Sequence, residues 1–119
     1  MSRIDPIVEL TKIFLPEVLV DHFDLTNHEI KAGALHFYYT EKNIPPAEHK
    51  DKKIHSKGYY KEAVVQDFPI RGKSVYLYIK RRKWLEIESK KIIKRDWILV
   101  AKATRMTKEF ATFLKELHR

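Results

Sequence analysis

Ser74-Val75-Tyr76-Leu77-Tyr78-Ile79-Lys80-Arg81-Arg82-Lys83-Trp84-Leu85-Glu86 is the stretch on which the fold turns. Read as an extended strand, its period-two alternation puts Val75, Leu77 and Ile79 on one face and Tyr76, Tyr78, Lys80, Arg82 and Trp84 on the other. The first face suits a core. The second interleaves rings with cations, a pattern able to stack on bases or sugars while pairing phosphates. The expected strand runs unbroken from Ser74 to about Glu86 and ends at Ser89-Lys90, and Ile92 to Ala101 returns antiparallel beside it. Two alternatives stay open for the rings: tyrosines also pair across a sheet, and Trp84 and Trp97 can cover a second small core. The run Lys80-Arg81-Arg82-Lys83 resists a packing explanation. Strand alternation throws its charges to both faces, so one of them is wet or meets an anion.

Working outward, Asp5-Pro6 opens a helix carrying Ile7, Leu10 and Phe14 to about Leu15. Pro16 interrupts it, and Glu17 to Phe23 reads as a second short helical piece. Leu25 to Thr40 reads as a hairpin turning at Lys31-Ala32-Gly33, and Asn43 to Gly58 as a long charged loop. Tyr59 to Asp67 is expected as a strand, with Phe68-Pro69-Ile70-Arg71-Gly72-Lys73 as the next turn. Thr104 or Thr107 caps a final helix with Phe110, Phe113, Leu114 and Leu117 on one stripe. The expected class is α+β: N-terminal helices, a small antiparallel sheet with a long basic C-terminal hairpin, and a final amphipathic helix. Residues 1–119 form one domain in this reading, and 69–119 form its basic part.

The 119 residues, 44% apolar, are enough for one cored domain. The absence of cysteine excludes disulfides, thiolate zinc clusters and cysteine nucleophiles. Six histidines, at 22, 28, 36, 49, 55 and 118, form neither an HxH nor an HExxH pair, so core or surface roles are expected of them and no metal or other cofactor is. No apolar run is long enough to span a membrane, and the first residues lack the features of a secretory signal, so a cytoplasmic location is expected. The net charge of +8 is unevenly placed. Residues 71–119 hold fifteen Lys and Arg against five acids, while residues 1–70 hold nine against eleven. That segregation is the footprint of a polyanion-binding surface, and a two-stranded ribbon fits the major groove of duplex DNA.

The run from Gln66-Asp67-Phe68-Pro69-Ile70-Arg71-Gly72-Lys73 through Arg81-Arg82-Lys83-Trp84 resembles the N-terminal region of bacterial insertion-sequence transposases of the ISL-three type. More closely, it is similar to the separate small protein described as an ISAon-type transposase N-terminal region. Leu15-Pro16-Glu17, His22-Phe23-Asp24, Glu41-Lys42-Asn43, Ser56-Lys57-Gly58, Arg95-Asp96-Trp97, Thr104-Arg105-Met106-Thr107 and Glu109-Phe110-Ala111 extend the likeness over the chain. In that broader family the basic strand is followed by zinc-binding cysteines. Here Leu85 to Lys94 has none, so the zinc drops out of the expectation, and recognition of transposon ends stays only as what the resemblance suggests.

The resemblance implies a non-catalytic accessory module of the transposition machinery, with the catalytic transposase as a separate chain and DNA, including transposon ends, as the ligand. The residues expected to meet DNA are Arg71, Lys73, Tyr76, Tyr78, Lys80, Arg81, Arg82, Lys83, Trp84, Lys90, Lys91, Lys94, Arg95, Arg105 and Lys108, with Lys115 beside them. A second expectation is an assembly subunit that docks the catalytic partner by its final helix or an exposed hairpin edge. A third, an enzyme using Asp67, Glu86 and Asp96, has nothing in its spacing to separate those acids from structural ones.

Overall fold

A computed structural model describes residues 21–97 and 115–117. Over these residues 57% of the chain is strand, so the α+β expectation is corrected to a mainly β fold. Seven strands form two sheets: β1 (Phe23–Lys31), β2 (Ala34–Glu41), β3 (Ile54–Tyr59), β4 (Ala63–Ile70), β5 (Lys73–Lys80), β6 (Arg82–Glu86) and β7 (Ile92–Ile93). The expected helix from Asp5 to Leu15 lies outside the described residues. So do most of the second helical piece and all of the final helix except Lys115–Leu117, whose backbone is helical. Phe23, assigned to the second helical piece by its apolar neighbours, instead opens β1.

The first sheet has the order β1-β2-β5-β4. Its β1–β2 hairpin is the one expected, turning at Ala32-Gly33. The β4–β5 hairpin turns in the same manner at Arg71-Gly72. In both turns the two central residues take positive φ, the geometry whose twist matches that of the flanking strands. β2 and β5 then pair in parallel, from Leu35 opposite Val75 to Thr40 opposite Lys80. This pairing is decisive for the site, because it sets the C-terminal ends of β2 and β5 side by side.

The second sheet has the order β3-β6-β7, all antiparallel. It holds two corrections. The stretch expected to be a loop from Asn43 to Gly58 contains a short 3-10 turn at Ala47–His49 and the strand β3. The strand expected to run unbroken from Ser74 to Glu86 is two strands in different sheets, divided at Arg81. Its main partner is the preceding segment rather than the following one: β4 pairs with β5 and β3 with β6, and Tyr60 N–H donates to the Arg81 carbonyl at 2.9 Å between them. The result is one long bent ribbon. Among the described residues, the expected return strand pairs through Ile93 opposite Trp84 and Ile92 opposite Leu85 alone.

One face of the first sheet is the core. Val75, Leu77 and Ile79 of β5 are fully buried, with Tyr39, Val65 and Phe23 around them and Trp97 and Leu117 packed over them. Trp97 stacks on Phe23 at 5.5 Å between centroids and meets the edge of His22 at 5.7 Å. A smaller buried group, Trp84, Ile93 and Pro46, belongs to the second sheet. Among the described residues no helix is long and apolar enough to cross a membrane.

Candidate nucleic-acid interface

The parallel β2–β5 pair delivers Glu41, the last residue of β2, to the bend of the ribbon. Its side chain is only 1% exposed, yet its carboxylate is fully engaged. Oε1 accepts from the Arg82 backbone N–H at 2.9 Å, and Oε2 accepts from Arg95 Nε at 2.9 Å. Burial pushes the Glu41 carboxyl above its ordinary value, and the bonds from Arg95 and from the Arg82 N–H pull it back only in part. Arg95 is fixed in turn. It donates to the Ile44 carbonyl and lies between the rings of Trp84 and Trp97, 5.8 and 5.9 Å from their centroids. Beside it, burial and the Arg95 charge hold His22 below the ordinary imidazole value, which keeps its ring neutral at pH 7.

Arg82 is equally committed. Its guanidinium donates to the Glu41 carbonyl (3.1 Å), to Ser56 Oγ (2.6 Å) and to the Tyr59 hydroxyl (2.9 Å), and stands over the Tyr59 ring at 4.8 Å. Two of the cations expected to meet DNA are thus internal braces, Arg82 tying β6 to β2 and β3 and Arg95 tying the segment after β7 to the end of β2. Trp84 also leaves the surface. Its ring is fully buried and its Nε1 donates to Asn43 Oδ1 at 3.0 Å, which answers the open alternative for Trp84 in favour of a second core, whereas Trp97 joins the main one.

The braces frame a cleft of about 370 Å³ at the bend, lined by Glu41, Tyr60, Arg81, Arg82, Lys94, Arg95, Asp96 and Trp97. Four cations face two acids there, and Glu41 is already occupied. Arg81 and Lys94 make no side-chain hydrogen bond or ion pair among the described residues, and Arg81 Nε is buried with no acceptor. Lys83 stands over the Tyr60 ring at 5.2 Å, and Lys80 is exposed at the end of β5.

The remaining expected residues are dispersed. Arg71 and Lys73 lie at the far turn of the first sheet, about 23 Å from Lys80 at the usual rise of ~3.3 Å per strand residue. Lys90 and Lys91 sit exposed at the opposite tip, beyond β6. Arg105 and Lys108 lie outside the described residues. Tyr76 and Tyr78 are on the outer face of the first sheet, as the alternation requires, but they join a column of rings across β2 and β5. His36 stacks on Tyr76 at 5.3 Å, and Tyr78 lies between His36 (5.7 Å) and Tyr38 (4.3 Å). Tyr78 Oη shares a 2.9 Å bond with His36 Nδ1, and Tyr38 donates to Glu29 at 2.7 Å. That bond to Glu29 leads the causes pushing the Tyr38 phenol up to about 12. Rings stacked on one another offer edges to solvent, so this face is less open to bases than the sequence suggests.

Glu41, Tyr60 and Ser56 were not among the residues expected to meet DNA, although Glu41 and Ser56 lie in stretches that carry the family likeness. Beyond that, the only signal for Glu41 was an acid closing an aromatic strand, and nothing local announces which arginine it meets. Asp67, Glu86 and Asp96 are separated: Asp67 pairs with Val75 inside the first sheet, Glu86 meets Lys52 at 3.4 Å in the second, and Asp96 lines the cleft. Among the described residues no three metal-binding side chains come together. No family model, curated protein or solved structure matches the chain.

Proposed function

We propose that the chain is a non-catalytic DNA-binding module, of the accessory kind that its likeness to transposase N-terminal regions implies, with the catalytic transposase as a separate partner. The observation that carries this reading is the cleft at the bend, where Arg81 and Lys94 converge without side-chain partners among the described residues, flanked by Lys80 and Lys83. Unpaired like charges held together repel, and a polyanion relieves the repulsion. The mode of contact differs from a ribbon laid in the major groove. β5 and β6 are each interior strands of a sheet, so neither half of the ribbon stands free to enter a groove. Contact instead runs along the exposed rim from the bend to Lys90 and Lys91.

The test is charge reversal of the exposed rim, Lys80→Glu with Lys90→Glu and Lys91→Glu, which leaves the braces intact. DNA affinity at low salt is expected to fall more than tenfold by fluorescence anisotropy. For six phosphate contacts the wild-type slope of log affinity against log salt is about −5. Unchanged affinity in the triple variant would remove the rim from the account. A second reading, docking of a catalytic partner, is favoured by β1, whose outer edge is unpaired among the described residues and whose Ile30 is 73% exposed. Salt-insensitive capture of the catalytic transposase, lost on Ile30→Lys, would support it.

A further inference from the structure

We infer that the cleft at the bend receives one nucleotide of an unpaired strand, its phosphate held by Arg81 and Lys94 and its base against Tyr60. This rests on the DNA-binding reading and adds a strand preference to it. Three features point the same way. The first is a division of labour among neighbouring cations. Arg82 and Arg95 have their donors committed to Glu41, Ser56, Tyr59 and Ile44, while Arg81 and Lys94, lining the same cleft, have no side-chain partner among the described residues. Rigid inner arginines with free outer cations place positive charge without letting the cleft collapse, an arrangement suited to a phosphate.

The second feature is size. A cleft of about 370 Å³ lies in the range that holds a small ligand, and it exceeds what a phosphate alone fills. The third is Tyr60, a half-buried ring on the cleft wall with the Lys83 ammonium 5.2 Å from its centroid. Trp97 cannot take the stacking role: Phe23 covers the ring at an interplanar angle of 15°, and only 4% of the residue is exposed. In a duplex every base is stacked between neighbours and unavailable to such a ring. In a single strand it is free.

The experiment measures binding of labelled oligothymidine and of a duplex of equal length to the full chain. The variants are Arg81→Gln with Lys94→Gln, Tyr60→Leu and Tyr60→Phe, and thymidine monophosphate and inorganic phosphate serve as competitors. Oligothymidine is expected to bind more tightly than duplex. The Arg81/Lys94 variant should weaken it about tenfold or more and reduce the salt slope by about 0.7 for each lost phosphate contact. Tyr60→Leu should cost about tenfold with the slope unchanged, and Tyr60→Phe should restore binding, since the ring and not the hydroxyl carries the stacking.

Competition by thymidine monophosphate, weaker for inorganic phosphate, assigns the same cleft to a free nucleotide as well. Equal binding of strand and duplex, insensitive to Tyr60 and to the Arg81/Lys94 pair yet still lost in the rim triple variant, would overturn the cleft assignment and leave DNA binding standing. Binding of thymidine monophosphate with no affinity for either oligonucleotide would overturn both the DNA-binding reading and the unpaired strand as occupant of the cleft. Should Tyr60→Leu lose its cooperative unfolding, Tyr60→Phe and the Arg81/Lys94 variant still separate these outcomes, because neither empties a packed site.

Discussion

β5 and β6 are consecutive lengths of one bent ribbon strand, yet they bury opposite phases of the sequence. In β5 the odd positions Val75, Leu77 and Ile79 face the core, whereas in β6 the even position Trp84 is the buried one. A single residue outside both strands, Arg81, makes the difference. Period-two alternation carries a face assignment only as far as the strand runs, and one residue outside the strands inverts everything beyond it. The Tyr76 and Trp84 rings therefore lie in different environments, although an uninterrupted strand places them on one face.

The strongest way to break this comparison is a pair of truncations. Trp84→Ala should destabilise the protein by about 3–5 kcal/mol, the usual range for emptying a buried aromatic site. Tyr76→Ala, half exposed at the end of its ring column, should cost under about 1 kcal/mol. Urea denaturation of both variants decides it, and similar losses would mean that the two rings share a surface after all.

Next in size is the brace at the bend. Removing the Glu41 carboxylate by Glu41→Ala leaves the Arg95 guanidinium, on a side chain 11% exposed, with the Ile44 carbonyl as its acceptor, a loss of about 3 kcal/mol by the same measurement, the lower end for a broken buried pair. The same residue makes a pH prediction. Its folded pKa is raised above the ordinary 4.5, so the native state holds the proton more tightly than the unfolded chain. The stabilisation from this group is complete below the ordinary carboxyl value and is lost as pH rises through the raised one. In Glu41→Gln that downward component of stability with rising pH should vanish from midpoints measured across the mildly acidic range. A wild-type profile identical in shape to that of the variant would contradict the raised value.

A smaller effect than that of the brace sharpens the comparison at the register shift. The β3–β6 pairing slips between Ser56 and Gly58, and Gly58 sits at φ 118° with open space where a Cβ would go. Gly58→Ala should cost about 1 to 3 kcal/mol from backbone strain alone, with no steric clash to add to it. A neutral result by thermal unfolding would show that the bulge relaxes, and with it the register that seats Ser56 opposite Trp84 and within reach of Arg82.

Parts of this were legible in the chain itself. The β1–β2 hairpin, the buried row of β5 and the outward placement of Tyr76 and Tyr78 follow from alternation bounded by turn residues, because both signals are local. β3 was not legible. Ile54-His55-Ser56-Lys57-Gly58-Tyr59 has no apolar alternation, and it forms a strand because β6 supplies the partner. Its neighbours Pro45-Pro46 and the surrounding lysines look like a connector, and only pairing distinguishes the two.

The candidate site divides in the same way. Composition alone determined that the chain carries its excess positive charge after Ile70, that it lacks thiol chemistry, and that cations cluster at residues 80–83 and 94–95. Which of these cations are free was decided by the tertiary structure. Parallel pairing of β2 with β5 brings Glu41, some forty residues away, against Arg82, and the return of the chain brings Arg95 to the same carboxylate. A charge is available to a ligand only after its internal partners are known, and those partners come from long-range strand pairing that no local pattern encodes.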